Sequence, residues 1–216
     1  MKLETLEAIL HARSERRAIA VVTDLNTGGQ RIVERGSEFD DAFRLDKSFV
    51  VENNFVAIHN PPLRLVIIGA VHIAQSIIPI AQAANYDVTV IDPRGAFATG
   101  LRFPNVALHD EWPQDILPKI GLDERTGFMA LTHDPKIDDP ALELALRSGV
   151  FYIGALGSKK TQIARAERLR ALGFDDAALA RIHGPIGLKI GSVGAAEIAI
   201  AVMAELTKCL RLGPLE

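Results

Sequence analysis

Two short stretches hold residues whose types and spacing could do chemistry. Gly69-Ala70-Val71-His72 closes the apolar run Arg64–Ile68, and a second apolar run, Val88–Ile91, ends in an acid, Asp92, 23 residues after Gly69. A glycine turn after one strand, then a helix, then an acid after the next strand is the layout of a mononucleotide-binding βαβ unit. The turn brings backbone N–H groups and a helix N-terminus to a phosphate, while the acid accepts hydrogen bonds from a ribose. The usual middle glycine is Val71 and the third is Ala74, which crowds the approach of a pyrophosphate. Asp92 favours a free ribose hydroxyl, whereas Arg94 beside it favours a phosphate in that place.

The second stretch is Gly154-Ala-Leu-Gly157-Ser158-Lys159-Lys160. Ser158 can cap the helix that follows, and two lysines stand in its first turn, where they oppose the helix dipole. Either an anion docks there and compensates them, or they are simply solvated. His72 and His133 fall at strand ends, where each is either a proton-transfer group or a surface histidine. Thr132 precedes His133 at the same end. No His/Cys/Asp/Glu group has metal-ligand spacing, so no metal site is expected, and Gly157-Ser158-Lys159 is not a nucleophile elbow. The glycine-rich run Ile182–Gly194 reads as a packed crossover or a lid, and Glu197 after it as a helix cap. Cys209, the single cysteine, lies in an apolar helix and reads as a small hydrophobe.

The elements that must position these residues alternate. Strands are expected at 65–68, 88–91, 106–108, 127–133 and 150–154. Helices are expected at 72–84, 115–119, 138–146, 159–172 and 195–210. Pro79 should kink the first of these, and Ile163, Ala166, Leu169 and Leu172 should form the buried side of the fourth. Strands separated by helices of this length imply a parallel, right-handed sheet with ligands at its carboxyl end. Residues 1–60 differ: a helix with an apolar face of Leu3, Leu6, Ile9 and Leu10, a strand at 18–22, a returning strand at 30–33, and a hairpin turning at Asn53-Asn54. His59-Asn60-Pro61-Pro62 is a stiff connector. The expected class is therefore α/β, a doubly wound parallel sheet (Rossmann-like) over residues 61–216 with a small N-terminal α+β piece over residues 1–60.

Composition narrows the function classes. A net charge of −3 argues against a general nucleic-acid binder, and no apolar run approaches the length of a membrane span. The charged first residues do not read as a secretory signal, and a single cysteine suits a reducing compartment, so a soluble, cytoplasmic protein is expected.

The segments LVIIGAVHIAQ, VTVIDPR, RFP, THD, YIGALGSKKT and GPIGLKIG, with AEIAIAVMAEL after them, resemble the XdhC/CoxI family of molybdenum-hydroxylase maturation factors across residues 61–208. The resemblance implies a Rossmann domain that binds the molybdenum cofactor (molybdopterin) and assists its insertion into a xanthine or carbon monoxide dehydrogenase-type client. Family members usually read GAGH where this chain has Gly69-Ala70-Val71-His72. Longer members carry a Gly-Gly-Cys motif near the N-terminus. Residues 1–60 hold no cysteine, with Gly28-Gly29-Gln30 the nearest echo, so the resemblance implies a short variant without that motif.

The reading is thus a maturation factor, more an accessory cofactor-binding protein than a stand-alone enzyme, and a homodimer is expected. The cofactor would lie against Gly69, Ala70, Val71, His72, Asp92, Arg94, Thr132, His133, Gly154, Gly157, Ser158 and Lys159. Its rivals are an NAD-dependent oxidoreductase, with Asp92 on the adenosine ribose and His133 or His72 moving a proton, and a regulatory nucleotide-binding module.

Overall fold

The structure is a computed structural model that describes residues 2–95 and 97–213. The chain forms two compact units, residues 1–61 and 62–216.

In the first unit, α1 (Leu3–Ser14) accompanies a four-stranded antiparallel sheet of β1 (Ile19–Asp24), β2 (Gln30–Glu34), β3 (Phe49–Val51) and β4 (Asn54–His59), in the order β2-β1-β4-β3. Its core is Ala18, Ala20, Val22, Val33, Val56 and Phe43, the last carried by the short helix α2 (Asp40–Leu45), which the sequence pattern did not indicate. The apolar face expected of α1 points outward: Leu3 and Leu10 are 70% and 56% exposed, while Thr5 and Ala12 are buried. Small side chains allow close approach of α1, and Thr5 Oγ1 donates to Gln30 Oε1 at 3.0 Å. The β3–β4 turn is Glu52-Asn53 rather than the asparagine pair, because Val51 registers with Asn54 and Glu52 takes the positive φ.

The second unit carries β5 (Leu63–Ile68), α3 (His72–Ala83), β6 (Tyr86–Ile91), β7 (Ala107–His109), α4 (Pro113–Ile120) and β8 (Thr126–Ala130). There follow α5 (Pro135–Arg147), β9 (Tyr152–Ala155), α6 (Lys159–Ala171), α7 (Asp176–Leu179), β10 (Ile182–His183) and α8 (Ala195–Leu212). Six parallel strands lie in the order β10-β9-β8-β5-β6-β7, so the chain reverses direction across the sheet between β5 and β8. That is the Rossmann arrangement with its topological switch point. Central strands are apolar throughout because both faces are covered. Leu65, Ile67 and Met129 face α3 and α8; Val66, Ile68 and Phe128 face α4 and α5.

Several boundaries differ from the sequence reading for identifiable reasons. Helix α3 continues through Pro79, held by the buried Ile77, Ile78 and Ala81. Helix α5 starts at Pro135, not Asp138, because Asp134 caps it by accepting from Lys136 N at 2.9 Å. On α6 the buried positions are Arg165 and Leu169, whereas Ile163 and Leu172 are 63% and 48% exposed. The glycine-rich run begins with β10, a two-residue strand on the sheet edge. Glu197 does cap α8, accepting from Val193 N at 2.8 Å.

Ile67 sits in the central strand with no exposed surface. Ile67→Ala should lower unfolding free energy by about 2–5 kcal/mol, read as a shift of the denaturant midpoint at constant slope. An unshifted midpoint would mean that β5 is not the centre of the core.

Candidate functional site

At the end of β5 the chain turns through Gly69 at φ 109°, a conformation that side-chain-bearing residues rarely adopt. A Cβ there would lie 2.7 Å from Thr132 Cγ2 and 3.2 Å from Thr132 N, so glycine also lets the turn pack against the end of β8. Gly69 N donates to Ile91 O and Ala70 N to Asp92 Oδ2, each at 2.8 Å. Val71 then opens α3 without a side-chain cap, and His72, the first helical residue, is exposed. The first-turn N–H groups of a helix lack intrahelical partners, and here they face the switch point.

Asp92 does not stand open to a ligand. Its side chain has no exposed surface. Besides Ala70 N, it accepts from Arg94 N at 3.0 Å, Arg94 Nε at 2.9 Å and Arg94 Nη2 at 2.8 Å. Burial alone would raise the carboxyl; the Arg94 guanidinium and the two backbone N–H groups outweigh it and hold it below the ordinary value. A ribose at Asp92 would have to displace Arg94. The guanidinium lies over the Phe97 ring, 4.8 Å from its centroid, and keeps about a third of its surface in solvent. Asp92 raises the guanidinium above its ordinary value, and the carboxylates of Asp134 and Asp138 add to the effect.

That loop is fixed by a second buried acid. Asp138 Oδ1 accepts from Thr132 Oγ1 at 2.7 Å and Thr132 N at 3.3 Å, and Oδ2 from His133 N at 3.1 Å. These bonds hold His133 at φ 64°, its ring exposed, and end β8 earlier than the apolar pattern suggested. Arg165 Nη2 reaches Asp138 Oδ2 at 3.4 Å and Leu156 O at 3.2 Å, joining the β8 loop to the β9 loop. Burial pushes the Asp138 carboxyl up, against the pull of Thr132, Arg165 and His133. Asp138, Gln162 and Arg165 were not singled out from sequence. The signal available was an acid and a cation on the inner sides of two successive helices.

The last predicted segment divides. Gly154 is packed, since a Cβ would lie 2.7 Å from Ile186 Cγ1 and 2.8 Å from Tyr152 Cε1. Gly157 takes φ 135° beneath Thr161, and Ser158 Oγ caps α6 by accepting from Thr161 N at 3.3 Å. Lys159 is exposed at the start of α6. The structure therefore gathers Gly69–His72, Asp92, Arg94, Thr132 and His133 at the switch point, and ties the Leu156–Lys159 segment to them through Arg165. Among the described residues no group of three His, Cys, Asp or Glu could hold a metal ion, and no helix is long and apolar enough to cross a membrane.

Residues 65–206 match the family model for the XdhC Rossmann domain. The chain belongs to the XdhC family. It is 29% identical over 154 residues to the molybdenum cofactor insertion chaperone PaoD of Escherichia coli, covering 71% of this chain and 42% of the relative. It is 29% identical over 158 residues to a probable xanthine dehydrogenase subunit of Bacillus subtilis, covering 71% and 45%. The chain thus spans less than half the length of these curated relatives. A crystal structure of a xanthine dehydrogenase from Bacillus halodurans superposes with a TM-score of 0.69 at 24% identity, over 97% of this chain and 64% of that one. That likeness establishes the fold. The XdhC Rossmann domain accordingly spans the whole switch point, from the end of β5 to the final helix.

Asp92→Ala removes the shared acceptor of Ala70 and Arg94 and should destabilise the domain by about 2–4 kcal/mol. The folded carboxyl is held below its unfolded value, so its contribution is complete above a pH of about 4 and is lost as the pH falls through the folded pKa. Stability curves of wild type and variant should therefore converge in acid; a gap that persists there would assign the loss to packing.

Proposed function

We propose that this XdhC-family chain binds the molybdenum cofactor at the switch point and assists its insertion into a xanthine or carbon monoxide dehydrogenase-type molybdenum hydroxylase. The observation that carries this reading is the donor set left open once Asp92 is closed. The uncapped first turn of α3 stands beside the partly exposed guanidinium of Arg94, with no side-chain cap at Val71. Backbone N–H groups and a guanidinium suit a phosphate, and molybdopterin carries one. Lys159 and Lys160, exposed in the first turn of α6, add positive charge beside the Gly157-Ser158 turn. The insertion role is supported by the kinship with PaoD, a cofactor insertion chaperone, and with the xanthine dehydrogenase protein of Bacillus subtilis.

On this reading Val71 and His72 present backbone donors, Ala70 fixes the turn with its N–H held by Asp92, Arg94 supplies charge, and Thr132 and His133 line the mouth. When bound, the cofactor supplies the molybdenum centre that a hydroxylase uses for redox chemistry. The protein residues bind and orient it and shield it from water until the client accepts it. An NAD-dependent oxidoreductase fits less well, because both oxygens of Asp92 are committed to Ala70 and Arg94 rather than to an adenosine ribose. A homodimer working in the cytoplasm completes the proposal.

Purified chain should bind molybdopterin in stoichiometric amount, read by absorbance and native mass spectrometry, and should raise the activity of an apo-hydroxylase supplied with the cofactor. Lys159→Ala with Lys160→Ala should weaken binding most at low ionic strength, where surface charges are least screened. Binding of NAD with turnover of a defined substrate, and no molybdopterin binding, would overturn the proposal.

A further inference from the structure

Four polar side chains meet on the α3/α8 face of the sheet, beside Gly154 and away from the switch-point donors. Tyr152 comes from β9, His183 from β10, and Glu205 and Cys209, one turn apart, from α8. Tyr152 Oη donates to Glu205 Oε2 at 2.7 Å and Gly187 N donates to the same oxygen at 2.9 Å. His183 Nδ1 lies 3.7 Å from Glu205 Oε1, and His183 Nε2 lies 3.7 Å from Cys209 Sγ. The imidazole stacks on the Tyr152 ring, with centroids 4.9 Å apart and planes 24° apart. The order of groups is thiol, imidazole, carboxylate, with the carboxylate itself anchored by two donors. That is the arrangement in which a base activates a nucleophile and a third group orients the base.

We propose that Cys209, His183 and Glu205 form a thiol site that takes a small disulfide by thiol–disulfide exchange. The Cys209 thiolate attacks one sulfur of the disulfide. The new Cys209 S–S bond forms as the old S–S bond breaks, and the departing thiolate takes the proton of His183 Nε2. The products are a mixed disulfide on Cys209, a free thiol and a neutral imidazole. The chain has one cysteine, so no internal thiol can displace the adduct, and a second external thiol must release it. The site therefore captures and releases rather than cycling through an internal disulfide.

Three further observations support this site. The cluster sets an imidazole, a carboxylate and a phenol among Met203, Leu206 and Leu210, where buried polar groups cost stability unless they partner one another. Burial would lower the His183 imidazole, but its contacts with Cys209 and Glu205 push it up to about 9, so it stands protonated opposite the thiol. Cys209 is 5% exposed and lies three residues before the end of α8, so on this proposal the disulfide reaches the thiol when that last turn opens. The other charged or titratable groups on the two packed helices are His72, at the exposed first position of α3, and on α8 Glu197 at its N-terminal cap, the exposed Lys208 and the half-buried Arg211.

The site stands apart from the cofactor reading, and its test needs no cofactor. Folded full chain is mixed with dithiodipyridine, and the released thiopyridone is followed between about pH 5.5 and 8.5. An ordinary thiol with a pKa near ~8.5 slows about tenfold for each unit below it. With His183 beside the thiol, the wild type should slow by less than about threefold between about pH 8 and 6. His183→Gln should restore the steep profile, losing roughly thirtyfold at about pH 6 with little change near pH 8.5. Glu205→Gln should give an intermediate slope, and incubation with glutathione disulfide should add one glutathione that reductant removes. A tenfold loss per pH unit in the wild type, an unchanged profile in a folded His183→Gln, or reaction only in denaturant would overturn the proposal. Should His183→Gln fail to fold, the wild-type profile still decides.

Discussion

The carboxyl end of this sheet depends on one buried acid. Asp138 has no exposed surface and accepts from the end of β8 through Thr132 and His133, and from α6 through Arg165. A loop after a parallel strand must find partners for its backbone N–H groups or leave them to water. Asp138 takes two of those groups and also binds the guanidinium that holds Leu156 O. The ends of β8 and β9 are thereby one body. Because the Thr132 loop is fixed, it can lie against Gly69 closely enough that a Cβ there would collide with it.

Asp92 plays the matching part on the other side of the switch point, and the consequence is chemical. It accepts from Ala70 N and pairs with one side of the Arg94 guanidinium, so the ends of β5 and β6 are also joined. With both acids committed to the protein, the open groups at the crevice are donors: the first turn of α3, the outer edge of Arg94, and Lys159 and Lys160 beyond. A crevice whose acceptors are occupied and whose donors are open discriminates by charge. On the proposed reading it suits an anion more than a hydroxyl-bearing ribose, although the placement of Asp92 in the sequence alone points to a ribose.

The fold was legible in the sequence because its signals are local. Strand β5, helix α3 and strand β6 follow from apolar runs and a glycine, and the capping of α6 by Ser158 and of α8 by Glu197 follows from residue type and offset. What was not legible depended on partners far along the chain. The burial of Arg165 depends on Asp138, 27 residues earlier. The outward turn of Leu3 and Leu10 depends on Thr5 meeting Gln30, 25 residues later. Asp92 is a case of the same kind at short range: spacing puts the carboxylate at the strand end, but only the structure shows Arg94 folding back upon it. Cys209 reads as a hydrophobe on its own helix, since the imidazole beside it comes from another strand, 26 residues away.

Strand β9 connects the two polar centres and also keeps them apart. Alternation along a strand sends Tyr152 toward α8 and Ile153 toward α5 and α6, so the thiol cluster and the switch point draw on different faces. What they share is backbone. His183 registers with Gly154, Ile186 N donates to Ala155 O at 3.2 Å, and Gln162 Nε2 donates to the same carbonyl at 3.0 Å. Glu205 reaches Gly187 N, three residues beyond the point where Gly184 leaves the sheet edge. The cluster and the loop that starts at Gly184 are therefore joined directly, through Glu205 and Gly187 N. The β9-end carbonyls are held from the other side, Ala155 O by Gln162 and Leu156 O by Arg165. Ile186 from beyond β10, and Gln162 and Arg165 from α6, thus converge on one stretch of main chain, Ala155–Leu156, which is the backbone the two centres have in common.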